Sequence, residues 1–288
     1  MDKNSRFRIS NWSVRSSVVV AAALLWLATV CQAQTVVVSM EVTDGRPVAE
    51  TIRTLTKKYP TVVTYEDPRY EYPGDIKDVT EEVRSRLSGP AGASTKRILV
   101  PGGGTLRFSY EANVDANGRP ANVRETLEAV LTANMNSAFP GRFRIEQTGE
   151  VFHVIPTQVR NQRGDWVAQA SVLDARITLP RREMNGYEML VAITEAVSDA
   201  TGIHVGLTSG DANSFFNHSG YLQADNEVAR SVLLRTLYAI NNRFTWSLLY
   251  GPDVKWYALN ISAVAPTERA PFAPPPIDPD QPPIFRQR

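Results

Sequence analysis

The sequence predicts an α+β protein of two tandem small two-layer domains, each a mixed β-sheet backed by two helices. Three observations carry this. The first half closes on Arg142-Phe143-Arg144-Ile145, a turn at Gly149 and Val151-Phe152-His153-Val154-Ile155, and the second on Arg243-Phe244-Thr245-Trp246, a turn at Gly251 and Lys255-Trp256-Tyr257-Ala258-Leu259. Each closing hairpin directly follows a stretch with apolar residues at helical spacing. Each half therefore reads strand-helix-strand, then strand-helix-hairpin, and two helices can cover one face of a small mixed sheet.

In the first half, Thr35 to Val42 is rich in β-branched residues and reads as a strand. Asp44-Gly45 is a turn, and Pro47 suits a first helical position, where its missing N–H costs nothing. Val48, Ile52 and Leu55 then share a helical face until Pro60. Thr61 to Tyr65 is a short strand. Residues 66–104 break the rhythm with turn chemistry and glycine clusters and read as an inserted loop, with a possible short strand over Lys96 to Val100. Thr105 to Tyr110 alternates, placing Leu106, Phe108 and Tyr110 on one face. Asn122 and Glu125 have the spacing of a capping box ahead of a helix that buries Val123, Leu127, Val130 and Leu131. Asn134 to Gly141 ends it.

The second half opens near Ser171, with a strand expected over Val172 to Leu179 and ended by Pro180. Asn185 and Glu188 form another capping-box pair, Met189, Leu190, Ile193 and Val197 face a core, and Gly202 is a helix stop. Ile203 to Leu207 is a strand. A polar loop covers Gly210 to Ser219, and Tyr221-Leu222 is a strand remnant. Asp225 or Asn226 is expected to cap a helix carrying Val228, Val232, Leu233, Leu237 and Ile240.

The ends differ in character. Lys3, Arg6, Arg8 and Arg15 precede an uncharged run from Val18 to Val30, which is shorter than the roughly 20 residues of a membrane span. With Cys31-Gln32-Ala33 as a small-x-small site, residues 1–33 read as a cleaved export signal, placing the protein in the periplasm or outside the cell. Lipidation of Cys31 is the rival reading, which Ala28-Thr29-Val30 fits poorly. The expected organisation is signal 1–33, first domain 34–159 with the loop 66–104, linker 160–170, second domain 171–264 and a proline-rich, disordered tail 265–288. No second apolar run is long enough for a membrane helix. Cys31 is the only cysteine, so the remaining chain has no disulfide, thiol nucleophile or Cys-based zinc site. The whole chain has a net charge of +1 and, without its basic leader, no basic stripe to suggest nucleic acid.

The stretch Gly220-Tyr221-Leu222 through Glu227, Ala229, Leu233 and Leu234 to Phe244 and Trp246 resembles the secretin and TonB N-terminal short domain. So does Asn185 to Val205, ending Ala200-Thr201-Gly202-Ile203-His204-Val205. The first half matches more loosely, over Val48 to Tyr65 and Val123 to Ile155, and the 66–104 loop departs from the pattern. The resemblance implies a periplasmic module that contacts other proteins. No barrel or secretin channel follows the second copy, so transport is not implied.

Few residues suggest chemistry. His153, His204 and His218 have no metal-ligand spacing and read as strand or surface residues. Gly102-Gly103-Gly104 lacks the Lys-Ser/Thr of a phosphate loop and reads as a hinge. Aromatic residues in the last hairpin read as cross-strand core pairs. Tyrosines and carboxylates interleave from Tyr65 to Asp75, and Tyr65, Glu66, Asp67, Arg69, Tyr70, Tyr72 and Asp75 form the candidate partner-binding loop, set against a plain solvated loop. The expected function is a non-enzymatic interaction module of the cell envelope, needing no cofactor or metal and binding another periplasmic or outer-membrane protein. The alternative is a small-ligand protein or hydrolase with a cleft between the two domains, lined by His204, His218 or the acidic loop. The sequence does not set the oligomeric state.

Overall fold

The computed structural model describes residues 37–59, 61–86, 96–112, 122–208, 215–240 and 243–264. The expected leader, Cys31, the tail beyond 264 and the Gly89-Pro90-Ala91-Gly92 breaker lie outside these residues.

The first half runs β1 (Val37–Asp44), α1 (Pro47–Lys58) and β2 (Val63–Glu66), then β5 (Gly104–Glu111), α3 (Val123–Asn136), β6 (Arg142–Thr148) and β7 (Val151–Arg160). Between β2 and β5 lie a 3-10 turn at Pro73–Asp75, β3 (Ile76–Asp78), α2 (Thr80–Arg86) and β4 (Leu99–Pro101). A short β8 (Trp166–Ala168) and a 3-10 turn at Val172–Asp174 lead into the second half. That half runs β9 (Arg176–Asn185), α4 (Gly186–Thr201), β10 (Val205–Leu207), β11 (Ser219–Val228), α5 (Ala229–Ile240), β12 (Phe244–Gly251) and β13 (Trp256–Ala263). The molecule is thus mixed α+β, as the sequence predicts.

Pairing repeats with the element order. The first strand of each half pairs antiparallel with the fourth element's strand: β1 with β5 and β9 with β11. The short inner strand runs parallel to the last strand, β2 with β7 and β10 with β13. The closing hairpins are β6–β7 and β12–β13. A row such as Tyr65, Val154, Ile145 across one small sheet has the same strand order as the row Leu207, Leu259, Leu248 across the other.

The halves are not separate bodies. β12 pairs parallel with β2, which joins the two small sheets into one of order β10-β13-β12-β2-β7-β6. All described residues belong to one compact unit. Two cores nevertheless persist. Val63, Tyr65 and Val154 pack with α1, α3 and β5. Trp246, Leu248, Tyr250, Tyr257 and Leu259 pack with α4, α5, β9 and β11. Residues opposite one another in a sheet share a face and successive residues alternate. Since Ser247 opposes Tyr65, Trp246 lies on the other face from Tyr65, with Thr64. The helices of the first half therefore cover the front of the shared sheet and those of the second half cover its back.

Local signals explain most elements and four exceptions. Pro47 occupies the start of α1, whose Val48, Ile52 and Leu55 are buried. Asn185 and Glu188 make both hydrogen bonds of a capping box, and Gly202 ends α4 in the left-handed region at φ 68°. Asn122 makes no side-chain cap, although α3 begins beside it. Pro180 does not end the strand, because among the described residues β9 pairs only with β11, and an edge strand tolerates a missing donor. Tyr221-Leu222 belongs to a full ten-residue strand, and Asp225 and Asn226 sit within it instead of capping α5; a register shift there puts Asn226 at φ 49°. The expected linker is also ordered: β7 continues to Arg160, and β8 folds back to pair with it.

Candidate functional site

The expected recognition loop lies at the join between the two halves, and most of it is inside the protein. Tyr65, Glu66, Asp67, Tyr70 and Asp75 are buried, and only Arg69 and Tyr72 keep partial exposure. The five buried residues do not present a free contact surface, because their side-chain polar groups are bonded to their surroundings. Spacing alone could not reveal this, since the partners come from elements far away in the chain.

Asp67 is the centre of one cluster. Its Oδ1 accepts from the hydroxyls of Tyr65 at 2.8 Å and Tyr70 at 2.9 Å. Its Oδ2 accepts from Arg46 Nε at 2.6 Å and from the Tyr250 backbone N–H at 2.9 Å. A carboxylate has about four acceptor sites, and all of Asp67's are taken. Burial, and next the Asp67 charge, hold both phenols well above the usual tyrosine range. Burial opposes the charge on Arg46, but Asp67, Tyr70 and Tyr65 together outweigh it and raise the guanidinium's pKa. Arg46 Nη2 also donates to the Tyr250 carbonyl at 2.6 Å, and the Asp67 N–H donates to the Leu248 carbonyl at 2.8 Å. Every one of these bonds to residues 248 or 250 crosses from the first half to the second.

Glu66 holds the opposite face. Arg230 of α5 donates to it in a fork, Nε to Oε1 at 2.7 Å and Nη2 to Oε2 at 2.8 Å. Arg230 Nη1 donates to Asp174 at 2.6 Å. Beside this pair, His153 is 1% exposed. Its Nδ1 lies 2.8 Å from Thr64 Oγ1, its ring meets Trp246 at 5.4 Å between centroids, and its Nε2 has no hydrogen-bond partner among the described residues. Burial, then the positive charge of Arg230, pull its pKa down to about 3. It is a neutral core histidine, as a strand residue without metal-ligand spacing should be.

The remaining loop residues hold the insertion down. Asp75 pairs with Arg160; burial raises its pKa and Arg160 opposes the rise. The Arg160 guanidinium also lies 5.0 Å from the Tyr72 ring centroid, and Arg69 pairs with Glu71 at 2.8 Å. The glycine cluster packs against the Asp44-Gly45 turn: a Cβ on Gly103 would stand 2.3 Å from the Asp44 carbonyl oxygen. A side chain there would push β4 and β5 away from the start of α1.

The opposite-face arrangement leaves two stretches of sheet without helices of their own. The front of β12–β13 meets α1 of the first half across a groove of about 600 Å³. Its wall carries Glu50, Arg53 and Lys57, and its floor Thr245, Ser247, Leu249 and Ser262. The back of β6–β7 meets α5 across a smaller hollow of about 290 Å³, lined by Glu146, His153, Asp174, Arg230 and Ser231. His204 and His218 line neither. His204 instead lies against Trp256, with ring centroids 5.4 Å apart. Among the described residues no group of three or more His, Cys, Asp and Glu could hold a metal, and no helix is long and apolar enough to cross a membrane. No family model, curated protein or solved structure matches the chain.

Proposed function

We propose that this is an exported, non-enzymatic binding module of the cell envelope, and that an extended segment of another envelope protein lies in the groove between α1 and β12–β13. The observation that carries the reading is the groove itself. It is open, it runs over the front of β12–β13, and it sets Thr245, Ser247 and Leu249 in a row along β12 beneath a charged helix wall. Such a surface offers side-chain pockets and polar anchors for a chain in extended form. The saturated acceptors of Asp67 and the fully forked Glu66 support a structural role for the neighbouring carboxylates, not proton transfer. The repeated strand-helix-strand, strand-helix-hairpin order supports the likeness to the secretin and TonB N-terminal short domain.

The test is capture from envelope extracts with the purified protein and with Ser247→Arg, which fills the groove floor. Loss of one specific captured protein in Ser247→Arg, with an unchanged melting temperature, is the expected result. Equal capture by both proteins removes the groove from the reading. The groove's volume also falls in the range of small-molecule sites, about 300–1,000 Å³. A thermal shift with envelope metabolites that disappears in Ser247→Arg would favour a small ligand instead.

A further inference from the structure

We infer that the chain assembles head to tail with further copies of itself, the outer edge of β6 in one copy pairing with the outer edge of β10 in the next. The internal join is made by β12 of the second half and β2 of the first, in parallel, with Ser247 opposite Tyr65 and Leu248 opposite Glu66. By the matching rows, β12 is the counterpart of β6, and β2 the counterpart of β10. The two strands that end the shared sheet are β10 and β6. The molecule thus carries at its two ends the counterparts of the two edges it already joins in its middle.

Strand direction agrees. β2 and β7 run together and β6 runs against them; β12 runs with β2, while β13 and β10 run against β12. Across the sheet, β10 and β6 therefore point the same way. A second copy placed in the same orientation beside β6 would offer β10 in parallel, the sense of the internal join. The faces agree as well: passing from one half to the next moves the helix layer to the other side, and an added copy would restore the alternation. One half maps onto the other by a half-turn about a line in the sheet plane across the strands, with a shift along that line. Such a relation is heterologous and does not close on itself, so repeating it gives an open chain of subunits. Among the described residues neither outer edge pairs with another strand, and an unpaired edge is a template for another strand.

With the row Leu207, Leu259, Leu248 taken as the counterpart of Tyr65, Val154, Ile145, the internal register transfers to the new join: Arg144 of one copy should lie opposite Leu207 of the next and Ile145 opposite Thr208. Neighbouring strands are about 4.8 Å apart, within disulfide reach. The test has two arms. Sedimentation of the unaltered protein over a wide concentration range should show mass rising from one chain to several. In a Cys31→Ser background, mixing Ile145→Cys with Thr208→Cys under mild oxidation should give mainly mixed cross-linked pairs, and the double variant a ladder. Near-UV circular dichroism confirms that each variant keeps its packing. A single-chain mass at every concentration overturns the inference. Self-association with cross-links only between like variants, or with none, overturns it too, because another surface then does the joining.

Discussion

β2 and β10 are the same strand used twice, with different neighbours. Each is short, follows the first helix of its half, and runs parallel to the last strand of the closing hairpin. β2 ends on Glu66 and runs on into Asp67, both of which are buried and bonded into the other half. The position matching Glu66 beyond β10 is Thr208, an exposed residue whose hydroxyl donates to Asn260 of its own half at 2.6 Å. The ladder joining the halves has only two register pairs. The difference therefore lies less in backbone pairing than in two carboxylates that commit β2 to one neighbour. Burying a charge is costly unless it is paired and hydrogen-bonded, so these acids are compatible only with an arrangement that brings Arg46 and Arg230 to them.

The largest test of that view is Arg230→Ala. It leaves Glu66 buried without its fork, and breaking a buried pair in this way costs about 3–5 kcal/mol. Urea unfolding of the variant should show a loss of that size, with the two halves no longer unfolding in one transition. The double variant Glu66→Leu with Arg230→Met removes both charges and should regain most of the loss, since an apolar replacement of a buried pair is often neutral or better. Failure to regain it would mean that the fork and Asp174 contribute attraction beyond mutual compensation. Arg46→Met should likewise destabilise by leaving Asp67 with only neutral donors.

A second, smaller effect depends on pH. His153 has a folded pKa of about 3, against about 6.5 in an unfolded chain. Below about 6.5 the unfolded chain takes up a proton that the folded one refuses, so stability falls as pH drops from there toward 3. At about 1.4 kcal/mol per pH unit, the loss from this one group is about 2 kcal/mol at pH 5. His153→Gln lacks the titration, so its stability deficit at pH 7 should shrink by about that amount at pH 5. An unchanged deficit would mean that the buried ring is charged in the fold, against the environment that Arg230 and Trp246 create.

Much of this architecture is legible in the chain, for local reasons. Pro47, Gly202 and the alternation of Leu106, Phe108 and Tyr110 act within a turn or a strand, and the structure uses each as expected. The join was not legible, because its partners are far apart: Glu66 meets Arg230 and Asp67 meets Tyr250. The interleaved tyrosines and acids from Tyr65 to Asp75 signalled an unusual stretch, but a polar cluster reads the same whether water or protein will satisfy it. The one available signal was the β-branched, apolar run Val62-Val63-Thr64-Tyr65 directly before the acids, typical of a strand buried on both faces.

The two capping-box sequences show the same limit at smaller scale. Asn185→Ala should cost about 1 kcal/mol, because its side chain accepts from the Glu188 N–H at 2.9 Å. Asn122→Ala should cost much less, because no such bond forms. Equal losses would show that the Asn122 side chain caps α3 in solution.

The smallest expected effect belongs to the open edge. Thr208→Asp puts a carboxylate where the counterpart strand has Glu66, but at an exposed position. Water solvates it, so the stability of a single chain should change by no more than about 0.5 kcal/mol. The same charge buried beside β2 demands an arginine. Measured at low protein concentration, a near-zero change establishes that the two counterpart edges differ in burial and not in intrinsic tolerance of acids. A loss of several kcal/mol would mean that the β10 edge is covered within the chain itself, and β2 and β10 would then no longer be a closed edge and an open one.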